Sequence, residues 1–133
     1  MPTNKQDLQN LTKLGSKAKP ERFLEVFPNH APKGDMEVTL DCREFTCICP
    51  LTGQPDFATV EIVYKPGQYV VESKSMKLYL ETFRNIGVFH EHLAVDIGKD
   101  FLRFVKPLSV EVIVRFHVRG GIAITAKFFG LDK

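Results

Sequence analysis

The sequence has no tryptophan, and its formal net charge is only +2. It also lacks an apolar run approaching the ~18 residues that predict a membrane-spanning helix. A near-neutral charge gives no general attraction for nucleic acid, and no motif that combines basic and aromatic residues is present. The polar start MPTNKQDLQNL lacks the apolar core of a secretory leader. These absences predict a cytoplasmic protein with no membrane partner and no direct nucleic-acid partner.

Two further shortages concern cysteine and glycine. Three cysteines form an odd set, which cannot all pair within one chain. A reducing compartment keeps such thiols free, so that one of them can be chemically active. Neither G-x-G-x-x-G nor G-x-x-x-x-G-K-[ST] occurs among the nine glycines. Any nucleotide is therefore expected to bind without a Rossmann loop or a P-loop.

The chain length of 133 residues predicts one folded domain. Residues 1–35 are polar and punctuated by proline, which predicts an N-terminal arm with at most one short helix near residues 8–14. From residue 36 the apolar and polar positions alternate, as half-buried strands do, and residues 36–133 are predicted to form the single folded domain. Four strands are predicted at residues 36–43, 57–64, 110–118 and 122–128, with a short apolar stretch at 69–71.

Helical periodicity appears between the two pairs of strands. Apolar residues spaced three and four apart predict a helix up to Phe83, with Ser73 or Ser75 as its cap, and a second helix that ends before Pro107. The order ββααββ predicts an α+β domain with an antiparallel four-stranded sheet and both helices on one face. Such a sheet has two open edges, and these are often covered by neighbouring subunits. We therefore expect a homo-oligomer.

Cys49 is the first candidate for chemistry. It lies in Cys47-Ile48-Cys49-Pro50, before a loop that ends at Asp56. A free thiol with a pKa of ~8.5 is only slightly ionised at neutral pH, so a nucleophile needs a nearby base or positive charge. Asp56 or a histidine supplies the proton transfer in that interpretation. A structural, half-buried cysteine explains the residue equally well.

A metal site is the alternative use of Cys47 and Cys49. Structural zinc needs four ligands in a recognisable spacing. No C-x-x-C or H-x-x-x-H pattern accompanies the four histidines, and Cys42 alternates with the apolar positions of its strand. We predict no metal.

Two polar clusters suggest ligand binding. His90 and Glu91 open the second predicted helix, where they either complement the helix dipole or bind a ligand edge with adjacent N–H donors. Lys74, Ser75 and Lys77 lie at a strand-to-helix junction, where free backbone N–H groups favour anions. A phosphate site and a solvated helix start both fit this second cluster.

Together these motifs resemble a known family. The segment from Phe45 to Phe57 (FTCICPLTGQPDF), the segment from Val71 to Tyr79 (VESKSMKLY) and His90-Glu91 occur in the order found in the short form of 7-cyano-7-deazaguanine reductase. That family is the nitrile reductase of queuosine biosynthesis. The similarity runs from about residue 11 to the end of the chain. It implies a tunnelling fold, in which the sheets of several subunits join into a barrel and sites form between subunits, and an assembly of two stacked pentamers.

The resemblance also implies a role for each candidate residue. Cys49 is the implied nucleophile and Asp56 the implied proton donor. The deazaguanine is bound by His90 and Glu91, with Val71, Glu72 and Ser73 lining the same pocket. NADPH is the implied cofactor, consumed as a co-substrate. Its phosphates are assigned to Lys74, Ser75, Lys77 and Arg84.

The implied reaction is the four-electron reduction of a nitrile to an aminomethyl group, through a covalent thioimide on Cys49 and with two NADPH per turnover. A zinc-dependent cyclohydrolase or pterin enzyme of the same fold is one alternative, and a non-catalytic deazapurine-binding module is another. One position departs from the family, since Cys47 replaces a frequent serine. Oxidation of Cys47 with Cys49 would trap or protect the nucleophile, although a disulfide between such close neighbours is strained.

Overall fold

The structure is a computed structural model that describes residues 20–132 together with Lys5. The helix expected near residues 8–14 lies outside the described residues. The elements, in chain order, are β1 (Val26–Pro28), β2 (Val38–Ile48), β3 (Pro55–Lys65), β4 (Tyr69–Val71), α1 (Ser73–Glu81), α2 (His90–Val105), β5 (Ser109–Phe116) and β6 (Thr125–Leu131). No helix among these residues is long and apolar enough to cross a membrane.

The main sheet has four antiparallel strands in the order β2-β3-β5-β6. The α+β class and the order of the main elements are therefore confirmed. Strands β2 and β6 form the two edges. Strands β3 and β5 lie in the middle, where alternating residues such as Val60, Ile62, Val112 and Val114 are fully buried. The core lies between this sheet and the helices, because one face of each central strand is apolar.

Strand β2 is longer than expected because it contains a bulge. Cys42 pairs with Val60 and Phe45 pairs with Ala58, so three steps along β2 match two steps along β3. An extra residue of this kind exchanges the faces to which side chains point. The inward-facing positions shift from the half-buried, even-numbered residues before the bulge to the buried Phe45 and Cys47 after it. The strand thus reaches Ile48, and the predicted loop is shortened to residues 49–54.

The described part of the predicted arm contributes to the fold. Strand β1 pairs with β4 in a separate two-stranded antiparallel sheet. Leu24, just before β1, is 1% exposed and belongs to the core. Residues 24–28 therefore pack on the domain, although their polar and proline-rich surroundings predicted only an arm.

The helices differ from expectation only at their ends. Helix α2 ends directly before Lys106, as Pro107 predicted. Helix α1 is capped by Glu72, whose side chain accepts hydrogen bonds from the backbone N–H groups of Lys74 and Ser75, so neither predicted serine is the cap. The last hairpin also differs, because Val118 and Ile122 are exposed and lie outside β5 and β6.

Candidate active site

The loop between β2 and β3 holds Cys49 close to Asp56. Cys47 pairs with Asp56 in the register of the two strands. Beyond the pair, the Cys49 N–H donates to the Gln54 carbonyl at 2.8 Å, and the Gly53 N–H donates to the Cys49 carbonyl at 2.9 Å. These bonds close a compact loop, so the thiol and the carboxyl lie at the same end of the hairpin. Cys49 and Asp56 therefore stand at the two ends of one short connection.

The thiol of Cys49 lies in surroundings that favour its thiolate. The Thr52 hydroxyl and the backbone N–H groups of Thr52 and Leu51 hydrogen-bond to the sulfur, and the positive charge of Arg119 adds to them, so the pKa of Cys49 is lowered. The two other thiols behave in the opposite way. Burial raises the pKa of Cys42 and of Cys47 to about 11. Cys49 is thus the cysteine whose environment suits a nucleophile.

A short segment beside β2 brings the start of α2 to this loop. The Ile48 N–H donates to the Ile86 carbonyl at 3.1 Å, and the Val88 N–H donates to the Ile48 carbonyl at 3.3 Å. Gly87, between them, lies against Pro50, where a Cβ atom would stand 3.1 Å from the Pro50 Cα. Glycine therefore permits the close approach of the two backbones. This contact places the first residue of α2, His90, at the cavity.

Asp56 is the centre of a hydrogen-bond network. It is 3% exposed, and one carboxylate oxygen accepts from the Arg119 guanidinium while the other lies 3.2 Å from His90 Nε2. Burial lowers the pKa of His90, although the neighbouring Glu91 opposes this effect. A neutral His90 donates its Nε2–H to the carboxylate, because the carboxylate only accepts. The His90 ring stacks on Phe116 with ring centroids 3.5 Å apart.

These groups line one cavity of about 310 Å³. Cys49, Asp56, His90 and Glu91, predicted from separate parts of the sequence, all face it, and Arg119 is present as well. Its apolar lining comes from Pro50, Val88, Phe89 and Ile124. A pocket with a thiol, a buried carboxyl and an imidazole can hold a flat apolar ligand and transfer a proton to it.

The predicted substrate and cofactor residues at 71–77 lie elsewhere in this chain. Glu72, Lys74 and Ser75 line a second cavity together with Glu21, Phe23, Glu25 and Leu78. The N–H groups expected to be free for an anion donate to Glu72, at 2.8 Å from Lys74 and 2.7 Å from Ser75. The structure therefore does not bring this segment to the cavity of Cys49.

Ser75, predicted as a phosphate ligand, already has hydrogen-bond partners within the chain. It is 8% exposed, and its hydroxyl accepts from the Glu25 N–H at 2.9 Å and donates to the Glu72 carbonyl at 2.9 Å. The hydroxyl thus links α1 to the strand region that contains β1. A phosphate at this hydroxyl would have to displace both bonds, and the assignment of Ser75 to the cofactor stays a prediction.

The remaining predicted residues take three positions. Ser73 and Lys77 line a third cavity, between α1 and the edge strand β2. Val71 is buried in β4, where its N–H donates to the Tyr64 hydroxyl at 3.1 Å. Arg84 is exposed after the end of α1. Exposed Lys74, Lys77 and Arg84 keep charged ends that can reach an anion, whereas Ser75 is buried.

Comparisons with known proteins agree with the sequence resemblance. A family model described as QueF-like protein matches residues 55–129. A protein of Syntrophus aciditrophicus named NADPH-dependent 7-cyano-7-deazaguanine reductase is 50% identical over 125 residues, covering 94% of this chain and 89% of the relative. A protein of Frankia casuarinae with the same name is 54% identical over 117 residues, covering 87% of this chain and 92% of the relative.

This chain belongs to the QueF-like family of 7-cyano-7-deazaguanine reductases. A solved structure, the apo form of the archaeosine synthase QueF-Like, superposes with a TM-score of 0.68 and covers 75% of this chain and 95% of that one. Its sequence identity is 24%, so this likeness concerns the fold alone. The predicted family and tunnelling fold are confirmed. The relatives' names also specify NADPH, in agreement with the predicted cofactor.

Sequence reasoning missed two groups of the site. In the sequence, Arg119 stands before Gly120-Gly121 between the last two predicted strands, and Thr52 stands in the loop before Asp56, and neither position predicts a role in the chemistry. Both act on Cys49 or Asp56 through contacts that the fold creates, Arg119 from 63 residues away along the chain. An isolated arginine before Gly-Gly is the one signal that the sequence offered, and it is typical of many surface turns.

The residues present offer little to a metal. Among residues 20–132, no group of three or more His, Cys, Asp and Glu side chains is placed to hold a metal ion. A catalytic zinc site normally has three protein ligands. The zinc-dependent cyclohydrolase alternative therefore finds no support in the described residues.

Proposed function

We propose that the protein reduces the nitrile of 7-cyano-7-deazaguanine to the aminomethyl group with NADPH, as a step of queuosine tRNA modification. One observation carries the proposal: a thiol with a lowered pKa, Cys49, shares a cavity with the buried carboxyl of Asp56. Relatives with 50% and 54% identity carry the name of this reaction. A binding module would have no need for an activated thiol beside a buried carboxyl.

The first chemical step is addition of the Cys49 sulfur to the nitrile carbon. A carbon–sulfur bond forms, one π bond of the nitrile breaks, and its nitrogen takes a proton, which gives a thioimide. Asp56 contacts the Arg119 guanidinium and lines the same cavity as the thiol. It can therefore accept the thiol proton and pass the same proton to the nitrogen. The step needs no proton from outside the cavity.

Reduction then proceeds on the carbon held by Cys49. NADPH supplies one hydride to the thioimide and a second to the imine, so two molecules are consumed per amine. Between the two reductions the Cys49 sulfur leaves as thiolate, and the hydrogen bonds from Thr52 and Leu51 favour this leaving group. The protein positions the carbon and transfers protons to the nitrogen. The amine contains two added protons and two added hydrides.

Recognition of the deazaguanine requires acceptors for its N–H edge. Glu91 lies in the first turn of α2 and faces the cavity, with His90 beside it. A carboxylate accepts from two adjacent N–H donors at once. Phe89, half-exposed at the same cavity, offers an aromatic edge to the flat ligand. We assign substrate binding within this chain to His90 and Glu91.

The other predicted substrate residues, Val71, Glu72 and Ser73, are assigned to the site of a neighbouring subunit. They line or adjoin cavities that do not contain Cys49. The main sheet leaves β2 and β6 as open edges, and Phe129 on β6 is 64% exposed. Such edges favour pairing between chains. We propose an assembly of two stacked pentamers that joins segment 71–73 of one subunit to Cys49 of another.

The cofactor site is assigned to the exposed cations near α1. Lys74, Lys77 and Arg84 carry positive charge on side chains that extend from the surface. Phosphate groups are bound by such charges even where backbone donors are occupied.

Three cysteines are free, as suits the reducing cytoplasm in which we place the protein.

The test is NADPH consumption by the purified protein with 7-cyano-7-deazaguanine. We expect two NADPH oxidised per amine formed, and no consumption by the Cys49→Ala variant. Cys42→Ala is the matched control, because it removes a half-buried thiol of β2 that does not line the cavity of Cys49, so it should keep the activity. Wild-type protein that binds the nitrile without oxidising NADPH would leave the binding-module alternative in place of the reductase.

A further inference from the structure

We propose that Phe116 is a positioning residue whose ring fixes the plane of the His90 imidazole and thereby holds His90 against the Asp56 carboxylate. The inference rests on the proposed function for the reaction that these two groups serve. The contacts themselves lie within one chain, so they depend on neither the assembly nor the cofactor.

Phe116 lies on the inward face of the sheet, as Asp56 does. It is the last residue of β5 and pairs with Ala58 on β3, two residues after Asp56. Side chains two apart along a strand point to one face, and diagonal neighbours on adjacent strands come within reach of an aromatic ring. Because Ala58 has only a methyl group, no large side chain separates the ring of Phe116 from the carboxylate.

The backbone around Phe116 is held from both sides. Its N–H donates to the Ile124 carbonyl at 2.9 Å, and the next N–H, of His117, donates to the Phe57 carbonyl at 3.0 Å. Phe116 is only 5% exposed. Its ring is therefore a fixed, buried surface against which a side chain from α2 can rest.

Two contacts in different directions define the position of the His90 ring. Its Nε2 lies 3.2 Å from Asp56 Oδ2, and its face stacks on Phe116 with ring centroids 3.5 Å apart and an interplanar angle of 6°. A hydrogen bond alone leaves the imidazole free to rotate about the line that joins the two atoms. The parallel contact with Phe116 removes that rotation.

The second ring nitrogen makes this orientation more selective. His90 Nδ1 is buried and has no hydrogen-bond partner in the part of the chain that the structure describes. A buried N–H without an acceptor is costly, so the hydrogen belongs on Nε2, where the carboxylate of Asp56 accepts it. A ring turned away from Asp56 would leave both nitrogens unpaired. Phe116 thus favours the one orientation that satisfies His90.

This orientation matters for the proposed reaction because Asp56 carries the thiol proton to the nitrile nitrogen. The Nε2–H of His90 holds Oδ2 in place, and proton transfer requires that the carboxylate keep its alignment with the reacting atoms. Loss of the stack lets the imidazole turn and leaves Oδ2 without this donor. The effect of Phe116 on turnover therefore passes through His90.

Ordinary core packing is the rival explanation for a buried phenylalanine, and Phe45 provides a matched control for it. Phe45 pairs with the same Ala58 from the opposite strand and is 3% exposed. Its ring packs on Phe83, with centroids 5.8 Å apart, and it does not line the cavity of Cys49. Phe45→Leu therefore removes an equally buried ring that has no contact with His90.

The experiment compares Phe116→Leu with Phe45→Leu, and thermal melting verifies folding. Phe116→Met is a second variant that removes the flat ring but keeps a long apolar side chain, in case Phe116→Leu does not fold. For each variant we measure kcat and, by mass spectrometry, the exchange of the His90 ring Cε1–H in D₂O as a function of pH. We also introduce Phe116→Leu into His90→Ala and measure the residual kcat.

The exchange of the ring hydrogen reports on His90 directly, because its rate follows the ionisation and the solvent exposure of the imidazole. None of the charged or titratable groups around His90 is altered by the substitution. These groups are Asp56 from β3, Cys49 from the β2–β3 loop, Glu91 from α2 and Arg119 from the β5–β6 turn. Burial is the main cause that lowers the pKa of His90.

We expect both phenylalanine-to-leucine variants to lose similar thermal stability, because each removes buried ring atoms. Only Phe116→Leu should lower kcat, by about 10-fold, a part of the ~10²–10⁴ that a positioned acid–base group contributes. In this variant His90 should exchange faster, with a midpoint at higher pH, since water reaches the uncovered ring. In the His90→Ala background, Phe116→Leu should lower kcat no further, because residues that act through one contact are not additive.

Three results would each overturn the proposal. The first is a kcat for Phe116→Leu no lower than that of Phe45→Leu, and the second is an unchanged His90 exchange profile. The third is an equal loss of kcat in the wild-type and His90→Ala backgrounds, which would assign Phe116 to core packing. Because the exchange needs neither nitrile nor NADPH, it decides on Phe116 even where the wild type reduces no nitrile, an outcome that would remove the proposed function alone.

Discussion

The loop around Cys49 and the segment 72–77 resemble the same family equally well, yet they differ in how complete they are within one chain. Around Cys49, a thiol, a buried carboxyl, an imidazole and a guanidinium share one cavity and contact one another. In segment 72–77, Glu72 caps α1 and Ser75 bonds to Glu25, while Lys74 and Lys77 extend from the surface.

This difference separates two kinds of determinant. The groups that move protons and form bonds must lie within hydrogen-bonding distance of one another, so one hairpin and one helix start supply them. The groups that recognise the outer parts of the ligands can come from another subunit, provided the sheet edges join. We therefore expect mutations around Cys49 to lower kcat. Mutations in segment 72–77 should instead impair the active site of a neighbouring subunit.

The largest effect is expected from Asp56→Asn. The amide keeps the size of the side chain but cannot carry the proton from the thiol to the nitrogen, so kcat should fall by about 10²- to 10⁴-fold. Steady-state kinetics at saturating substrates measures it. Asp41→Asn is the control, because Asp41 is half-exposed and pairs with Arg43. Asp41 lies on β2 before the bulge and does not line the cavity of Cys49. A kcat for Asp56→Asn within a few-fold of wild type would show that Asp56 transfers no proton.

An intermediate effect is expected from mixing two defective variants. Cys49→Ala lacks the nucleophile. Glu72→Ala lacks one side chain of the segment that is proposed to enter a neighbour's site. Co-expression should recover activity, because some sites then combine an intact Cys49 from one subunit with an intact Glu72 from another. Activity of the mixed assembly no higher than that of Glu72→Ala alone would place both determinants in the same chain.

The control for this experiment is the stability of the Glu72 variant. Loss of the helix cap is expected to lower the free energy of unfolding by about 1 kcal/mol. Glu72→Asp shortens the side chain but keeps a capping carboxylate, so it separates the structural contribution from the effect on the neighbour's site. Urea denaturation of both variants gives the comparison.

The smallest effect concerns the three thiols in the unmodified protein. Hydrogen bonds to the sulfur lower the pKa of Cys49, whereas burial raises those of Cys42 and Cys47 to about 11. As the pH rises from neutral, iodoacetamide should therefore label Cys49 first, and the other two only at strongly alkaline pH. Peptide mapping after timed labelling measures the order. Labelling of Cys42 before Cys49 would contradict the environment described here.

Much of the fold was predictable because its signals are local. The second helix follows a 3.6-residue period and ends before a proline, and the central strand β3 alternates without interruption. The bulge in β2 was not predictable, because an extra residue between Cys42 and Phe45 leaves both halves of the pattern intact and changes only their phase. Strand β1 was missed because three residues carry too little pattern, and pairing with β4 depends on the tertiary fold.

The same distinction holds for the site. Cys49 and Asp56 face one cavity because a hairpin loop joins them, a relation that sequence spacing expresses. Arg119 and Thr52 could not be assigned, since the first approaches Asp56 only after β5 and β6 form, and the second acts through the geometry of the loop. The sequence also does not show that the Ser75 hydroxyl accepts a hydrogen bond from the Glu25 N–H, because that contact depends on the pairing of β1 with β4.

The most direct test of the central claim, covalent capture by Cys49, is intact-mass analysis of the protein incubated with 7-cyano-7-deazaguanine in the absence of NADPH. The account predicts a mass gain equal to one nitrile molecule per reacting chain, mapped to Cys49, lost in Cys49→Ala and reversed when NADPH is added. An active wild-type enzyme that forms no adduct, or an adduct that persists in Cys49→Ala, would contradict it.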